Sequence, residues 1–167
     1  EDKALIFLVD YVNAIDHFEE CTWPNSNDLK NSFLIQNLID GLQRYGVQDD
    51  EALLQFGFSC LDAAYASLGA EIQAKQELAK GKEFETKWGK GIAIETSVDE
   101  VLKLAQKSGY VIAIKKDPKR GDIRIKAVPG QGIDLTPIYK TITNTDLVGH
   151  WYFHPGKTML LNGSNKD

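Results

Sequence analysis

The chain has 167 residues, enough for one large domain or two small ones, and its 43% hydrophobic and 26% charged content is that of a globular protein that builds its core without staples. A net charge of −5 argues against broad electrostatic attachment to duplex nucleic acid or an anionic membrane, while leaving room for a local basic patch. The two cysteines, Cys21 and Cys60, lie far apart without CxxC spacing, which excludes a cysteine-based zinc site and makes a reduced, cytoplasmic protein the expectation, and no apolar run approaches the roughly 20 residues of a membrane span.

The first residue is Glu1, and Lys3–Val9 enters an apolar helix with no signal-peptide pattern, so a piece of a longer chain is expected. From Ala4 to Glu20 the apolar Leu5, Leu8, Val9, Val12 and Ile15 recur at helical steps. Turn residues follow at 22–27. Asp28 then caps an expected second helix carrying Phe33, Leu34, Leu38 and Leu42 and ending at Gly46. Asp49 or Asp50 opens a long third helix, which the polar stretch 72–85 extends as a solvated segment.

Composition shifts near Gly89–Gly91. Gly91–Glu95 reads as a strand, and Ser97 with Glu100 as a capping box for a helix to Lys107. Tyr110–Lys115 and Asp122–Val128 read as a strand pair joined by the turn 117–121. Leu135–Ile142 is a short helix or turn, and Trp151–Phe153 with Met159–Leu161 close the chain as strands around Pro155-Gly156. The order is β-α-β-β-α-β, ending in a small hairpin. The fold class is α+β: a helical connecting region (1–87), then a small α/β domain (88–167).

All three histidines fall in two polar-aromatic patches, LVDYVNAIDHFEE and GHWYFHPGKTMLLNGS. At 100° per residue Asp16 projects beside Val9 and Val12, where a carboxylate is costly unless paired or metal-bound. One reading makes Asp16 a metal ligand, with Asp10 or His17 supporting it by hydrogen bonding. The other makes it a structural carboxylate on a solvated stripe.

His150 and His154 have the spacing for one metal on a helix. Their Trp-Tyr-Phe interior and the flanking Gly149 and Pro155 favour a strand, which separates them by about 13 Å and excludes a shared ion. Each can instead serve a different part of a groove, or simply pack. Pro155-Gly156-Lys157 and Asn162-Gly163-Ser164 are tight turns whose amides suit an anion, with Lys157, Asn162 and Ser164 adding donors; the alternative is two plain hairpin turns. Trp151, Tyr152 and Phe153 can stack on bases or fill a core. The basic run at 115–120 reads as a solvated hairpin tip. GxxxxGK[ST], GxSxG, HExxH and Gly-rich dinucleotide loops are absent from the sequence.

The segment VDYVNAIDHFE resembles the fourth metal-binding motif of the DHH phosphoesterase superfamily, and GHWYFHPGKTMLLNGS resembles the glycine- and histidine-bearing substrate segment at the far end of such proteins. The layout between them is similar to the branch of metal-dependent protein hydrolases and organellar RNA exonucleases. The resemblance implies a Mn²⁺- or Mg²⁺-dependent phosphohydrolase in the intact parent, with two metals activating water. By position Asp16, and after it Asp10, match metal ligands, while His150, His154, Lys157, Asn162 and Gly163 fall where the family grips substrate phosphate. The departures are the absent DHH signature, the absent earlier Asp motifs, and a glycine run reduced to Gly149. The expectation is therefore a C-terminal fragment, inactive alone and with no catalytic residue of its own, whose ligand is a small phosphorylated substrate or short nucleic acid. The alternative is a non-catalytic module that binds a nucleotide or a partner protein, and a third reading is a structural domain that homodimerises through its helices.

Overall fold

The computed structural model describes residues 1–163; Ser164, one of the expected ligand contacts, lies outside the described residues. The fold is α+β, with helices first and a six-stranded mixed sheet after them. Two compact units, Glu1–Ile72 and Gln73–Asp167, divide within the third helix.

In the N-terminal unit, helix α1 (Lys3–Asp16) starts where the Asp2 carboxylate accepts from the amides of Ala4 and Leu5, at 3.1 and 3.0 Å. Those amides have no intrahelical partner, so the cap sets the start. The helix stops before the expected Glu20 because Phe18 adopts a left-handed φ of 58°, and Glu19–Thr22 forms a 3₁₀ turn. The expected second helix is interrupted at Leu34. A 3₁₀ turn (Leu29–Phe33), capped by Asp28 on the Lys30 amide at 2.9 Å, precedes α2 (Ile35–Tyr45), which Gly46 closes at φ 119°. Tyr11 ties α1 to α2: its hydroxyl donates to Gln36 Oε1 at 2.8 Å and accepts from the Ile35 amide at 3.3 Å. Helix α3 spans Asp50–Leu78. Among the described residues of this unit only Ala4 is a buried hydrophobic side chain.

The C-terminal unit opens on the end of α3, which continues the helix to Leu78 as expected, and then forms a strand where the rest of the helical extension was expected, β1 (Lys82–Thr86). Its polar residues fit an edge strand as well as a solvated helix, and Phe84 packs against the core on one face. The unit continues with β2 (Gly89–Glu95), α4 (Glu100–Lys107), β3 (Ile112–Lys116), β4 (Ile123–Ala127), α5 (Thr136–Thr145), β5 (Trp151–Phe153) and β6 (Met159–Asn162). The strand order is β1-β2-β3-β4-β6-β5. Among the described residues only β2 and β3 are parallel, joined through α4; the other neighbouring strands are antiparallel.

Each face of the sheet has its own core. On one, Val101, Leu102 and Ala105 of α4 pack on Ile92, Ile94 and Ala113. On the other, Ile112, Ile125 and Leu160 pack with Ile133, Leu135 and α5. The expected capping box at Ser97 is not formed. The Ser97 hydroxyl donates to Asp117 Oδ1 at 3.2 Å, and Asp99 at the helix start sends its carboxylate to the sheet.

Candidate functional site

Antiparallel partners share a face, so the register reads out one row of side chains across the sheet. On the α4 face the row runs Ile94, Lys115, Arg124, Leu161, Tyr152. The next row runs Ile92, Ala113, Lys126, Met159 and then His154, whose amide donates to the Met159 carbonyl at 3.0 Å. Helix α4 covers the Ile92, Ile94 and Ala113 end. Arg124, Lys126, Met159, Leu161, Tyr152 and His154 belong to neither core. Tyr152 is 49% exposed, and its ring meets that of His154 edge-on at 6.5 Å. The β4-β6-β5 half of this face is therefore a platform of two cations, two rings and two apolar side chains, of which Tyr152 and His154 are exposed and the other four half-buried.

Charge concentrates on this unit. Residues 73–167 hold sixteen Lys or Arg against eleven Asp or Glu, a net of +5, whereas residues 1–72 hold three against thirteen, a net of −10. The acidity of the whole chain thus averages over two unlike halves, and the C-terminal one carries no net negative charge that would repel nucleic acid.

Asp99 organises the platform's edge. Its carboxylate pairs with the Lys115 ammonium and with Arg124 Nη1, the latter at 3.0 Å. Lys115 is 2% exposed, while the Asp99 side chain remains 56% exposed. The Lys115 hydrogen bond, aided by the Arg124 charge, holds the Asp99 carboxyl below the ordinary carboxylate range. Lys126 makes no ion pair among the described residues and is free for a ligand. Of the neighbouring charges at 117–122, Asp117, Arg120 and Asp122 are engaged within the turn itself. Asp117, 5% exposed, accepts from the amides of Lys119 and Arg120, and Arg120 Nε reaches Asp122 at 3.1 Å.

The residues expected to grip phosphate do not converge. They divide between the two ends of the β5–β6 hairpin. His150, Asn162 and Gly163 lie at one end, where Gly163 leaves no room for a Cβ beside the Asp122 carboxylate. His154 and Lys157 lie at the other. There the Gly156 amide donates to His154 Nδ1 at 3.0 Å, the Lys157 amide to the His154 carbonyl at 2.8 Å, and Lys157 Nζ pairs with Asp134 at 3.4 Å. With those donors committed, Pro155-Gly156-Lys157 is a hairpin turn and not an anion cradle.

The aromatic strip also divides. Trp151 and Phe153 pack into the α5-side core, Phe153 stacking on Tyr139 at 4.9 Å, and Tyr152 alone faces the platform. Asp146 sets this geometry by accepting from the Gly149 amide at 2.8 Å and Trp151 Nε1 at 2.9 Å. A Cβ on Gly149 would overlap that carboxylate. Gly149→Ala is therefore expected to lower the melting temperature by a few degrees, with loss of the near-UV circular dichroism of Trp151; an unchanged melt would contradict this role for Asp146.

The expected metal ligands do not meet the condition that motivated them. Asp10, Asp16 and His17 are exposed on or just after α1, so Asp16 carries no desolvation cost that a metal must relieve. His17 Nδ1 is engaged with the Asn13 carbonyl at 2.8 Å. Mn²⁺ and Mg²⁺ need several converging oxygen or nitrogen donors, and no group of three or more His, Cys, Asp or Glu side chains placed to hold an ion occurs among the described residues. These residues alone do not fit the dinuclear centre. Among the described residues no helix is long and apolar enough to cross a membrane. No family model matches the sequence, and comparison with curated proteins found no match.

Proposed function

We propose that the C-terminal unit binds a phosphate-bearing ligand with an accessible base, a nucleotide or short single-stranded nucleic acid, on the open β4-β6-β5 face. The observation that carries this reading is the alignment of Arg124 and Lys126 beside the outward rings of Tyr152 and His154, outside both cores of a unit with net charge +5. Stacking needs an exposed ring and is tolerant of sequence, while the adjacent cations take the backbone phosphates. In the wider reading drawn from the resemblance, this face is the substrate grip of a DHH-type phosphohydrolase whose metal centre is built by other residues.

The test is fluorescence anisotropy of a labelled oligothymidylate titrated with the full chain at low and moderate salt. Saturable binding that weakens with salt is expected. Tyr152→Ala, an exposed position whose loss leaves both cores intact, is expected to weaken binding by about tenfold, the worth of one base–ring stack. Absence of binding at low salt, or full affinity in Tyr152→Ala, rejects the proposal.

A further inference from the structure

The N-terminal unit carries an apolar seam that its own helices leave open. The first part of α3 runs antiparallel to α1. At one end Tyr65 Oη donates to Asp2 Oδ2 at 2.6 Å; at the other, Asp16 shares a cleft with Asp50 and Phe58. Two adjoining clefts of about 540 and 710 Å³ run along this pair and have Val12, Asp16, Phe58 and Leu61 in common; Ile35, Gln36 and Ile39 of α2 close one side of the first, and the second is lined by α1, its cap Asp2 and α3. Leu5, Val9 and Val12 on α1 and Leu54, Phe58 and Tyr65 on α3 are each between 43% and 58% exposed. Steps of four and three residues are the spacing of a helix–helix seam, and here each of two neighbouring helices presents such a row. The trough is about as long as α1, 14 residues or roughly 21 Å at 1.5 Å per residue.

Charge selects the occupant. Asp2, Asp16, Asp50 and Asp62 line the two clefts, and no Lys or Arg does. The unit around them has a net charge of −10. A second copy docking by this face would set these carboxylates against their own images, so self-association is opposed where the apolar contact would form.

We infer that this seam docks a partner's amphipathic helix of about four turns, with an apolar stripe bordered by Lys or Arg. The apolar stripe packs on α1 and α3 beside α2, and the basic borders meet the four aspartates. The site is built from the N-terminal unit's own residues and does not depend on the reading proposed for the sheet platform.

The probe is a synthetic helix of about four turns with leucines at i, i+3, i+4 and i+7 and lysines on its borders, titrated into the full chain by fluorescence polarisation. A companion peptide keeps the leucines and replaces lysine with glutamate. Saturable binding of the lysine peptide alone is expected. Phe58→Lys is expected to weaken it by at least about tenfold, as for a central apolar anchor. The second variant, Asp16→Asn with Asp62→Asn, changes only exposed side chains; it should weaken binding by a few-fold and flatten its salt dependence. Equal binding of the glutamate peptide, no saturable binding of the lysine peptide, or unchanged affinity in both variants overturns the inference. So does a sedimentation dimer that Phe58→Lys dissociates, which assigns the seam to a second copy.

Discussion

Asp99→Ala is expected to destabilise the C-terminal unit by about 2 kcal/mol, roughly a thirtyfold shift in its unfolding equilibrium. Breaking a fully buried ion pair costs about 3–5 kcal/mol, because the surviving charge stays out of water without compensation. Lys115 meets that condition at 2% exposure, but half of the Asp99 side chain is solvated, so the lower figure applies. Lys115→Met should be far milder, since it removes the charge and keeps the volume. The double variant should match Lys115→Met within a few tenths of a kcal/mol. Urea melts of the four proteins measure this cycle, and additive costs would show that the pair is not coupled.

The same pair predicts a pH dependence. Asp99 is held below the ordinary carboxylate range in the fold, so the unfolded chain takes up its proton first as pH falls. Its contribution is fully present above the unfolded value of about 3.9 and is lost as pH drops through the lower folded value. The stability gap between the natural chain and Asp99→Asn should therefore be constant at neutral pH and close below about pH 4. Asp117, Asp134 and Asp146 are depressed in the same direction, each chiefly through a hydrogen-bond donor, and add to the acid lability of this unit.

The legible parts of the fold were those with a strong local signal. Turn chemistry at 117–121 and the alternation of Ile123, Ile125 and Ala127 against Arg124 and Lys126 located the β3–β4 hairpin. Helical spacing located α1, α2 and α3. What stayed hidden depended on partners distant in sequence. Lys82–Thr86 has a solvated helix's composition and becomes a strand because β2 pairs with it residue for residue. Ser97 and Glu100 have capping-box spacing, yet Ser97 donates to Asp117, brought near by the adjacent ends of β2 and β3. The candidate site follows the same rule. Arg124 and Lys126 were visible as the polar side of a strand, and Tyr152 as a possible stacking ring. Nothing local said that β6 would lie between β4 and β5 and place all three on one face. His154 and Lys157 pointed to an anion through turn composition, which does not reveal that the turn's amides are already taken.

Reversing the platform's charge, Arg124→Glu with Lys126→Glu, is expected to weaken oligonucleotide binding on the order of a hundredfold at low salt, since two phosphate contacts become repulsions. The salt dependence is the sharper readout. Each phosphate contact to a single strand contributes a slope of about −0.7 in log affinity against log salt, so neutralising both residues to Gln should reduce the slope by about 1.4. Arg124 also serves Asp99, and a glutamate there would press a second carboxylate on the group that holds Lys115. Lys126→Glu alone avoids this, because Lys126 has no ion pair among the described residues. It should keep the melting temperature and still lose about tenfold in affinity. Unaltered affinity and salt slope in Lys126→Glu would place the phosphate contacts away from the sheet face. A proportional loss across the single and double variants, with Tyr152→Ala lowering affinity but leaving the slope unchanged, separates phosphate contact from stacking on one surface.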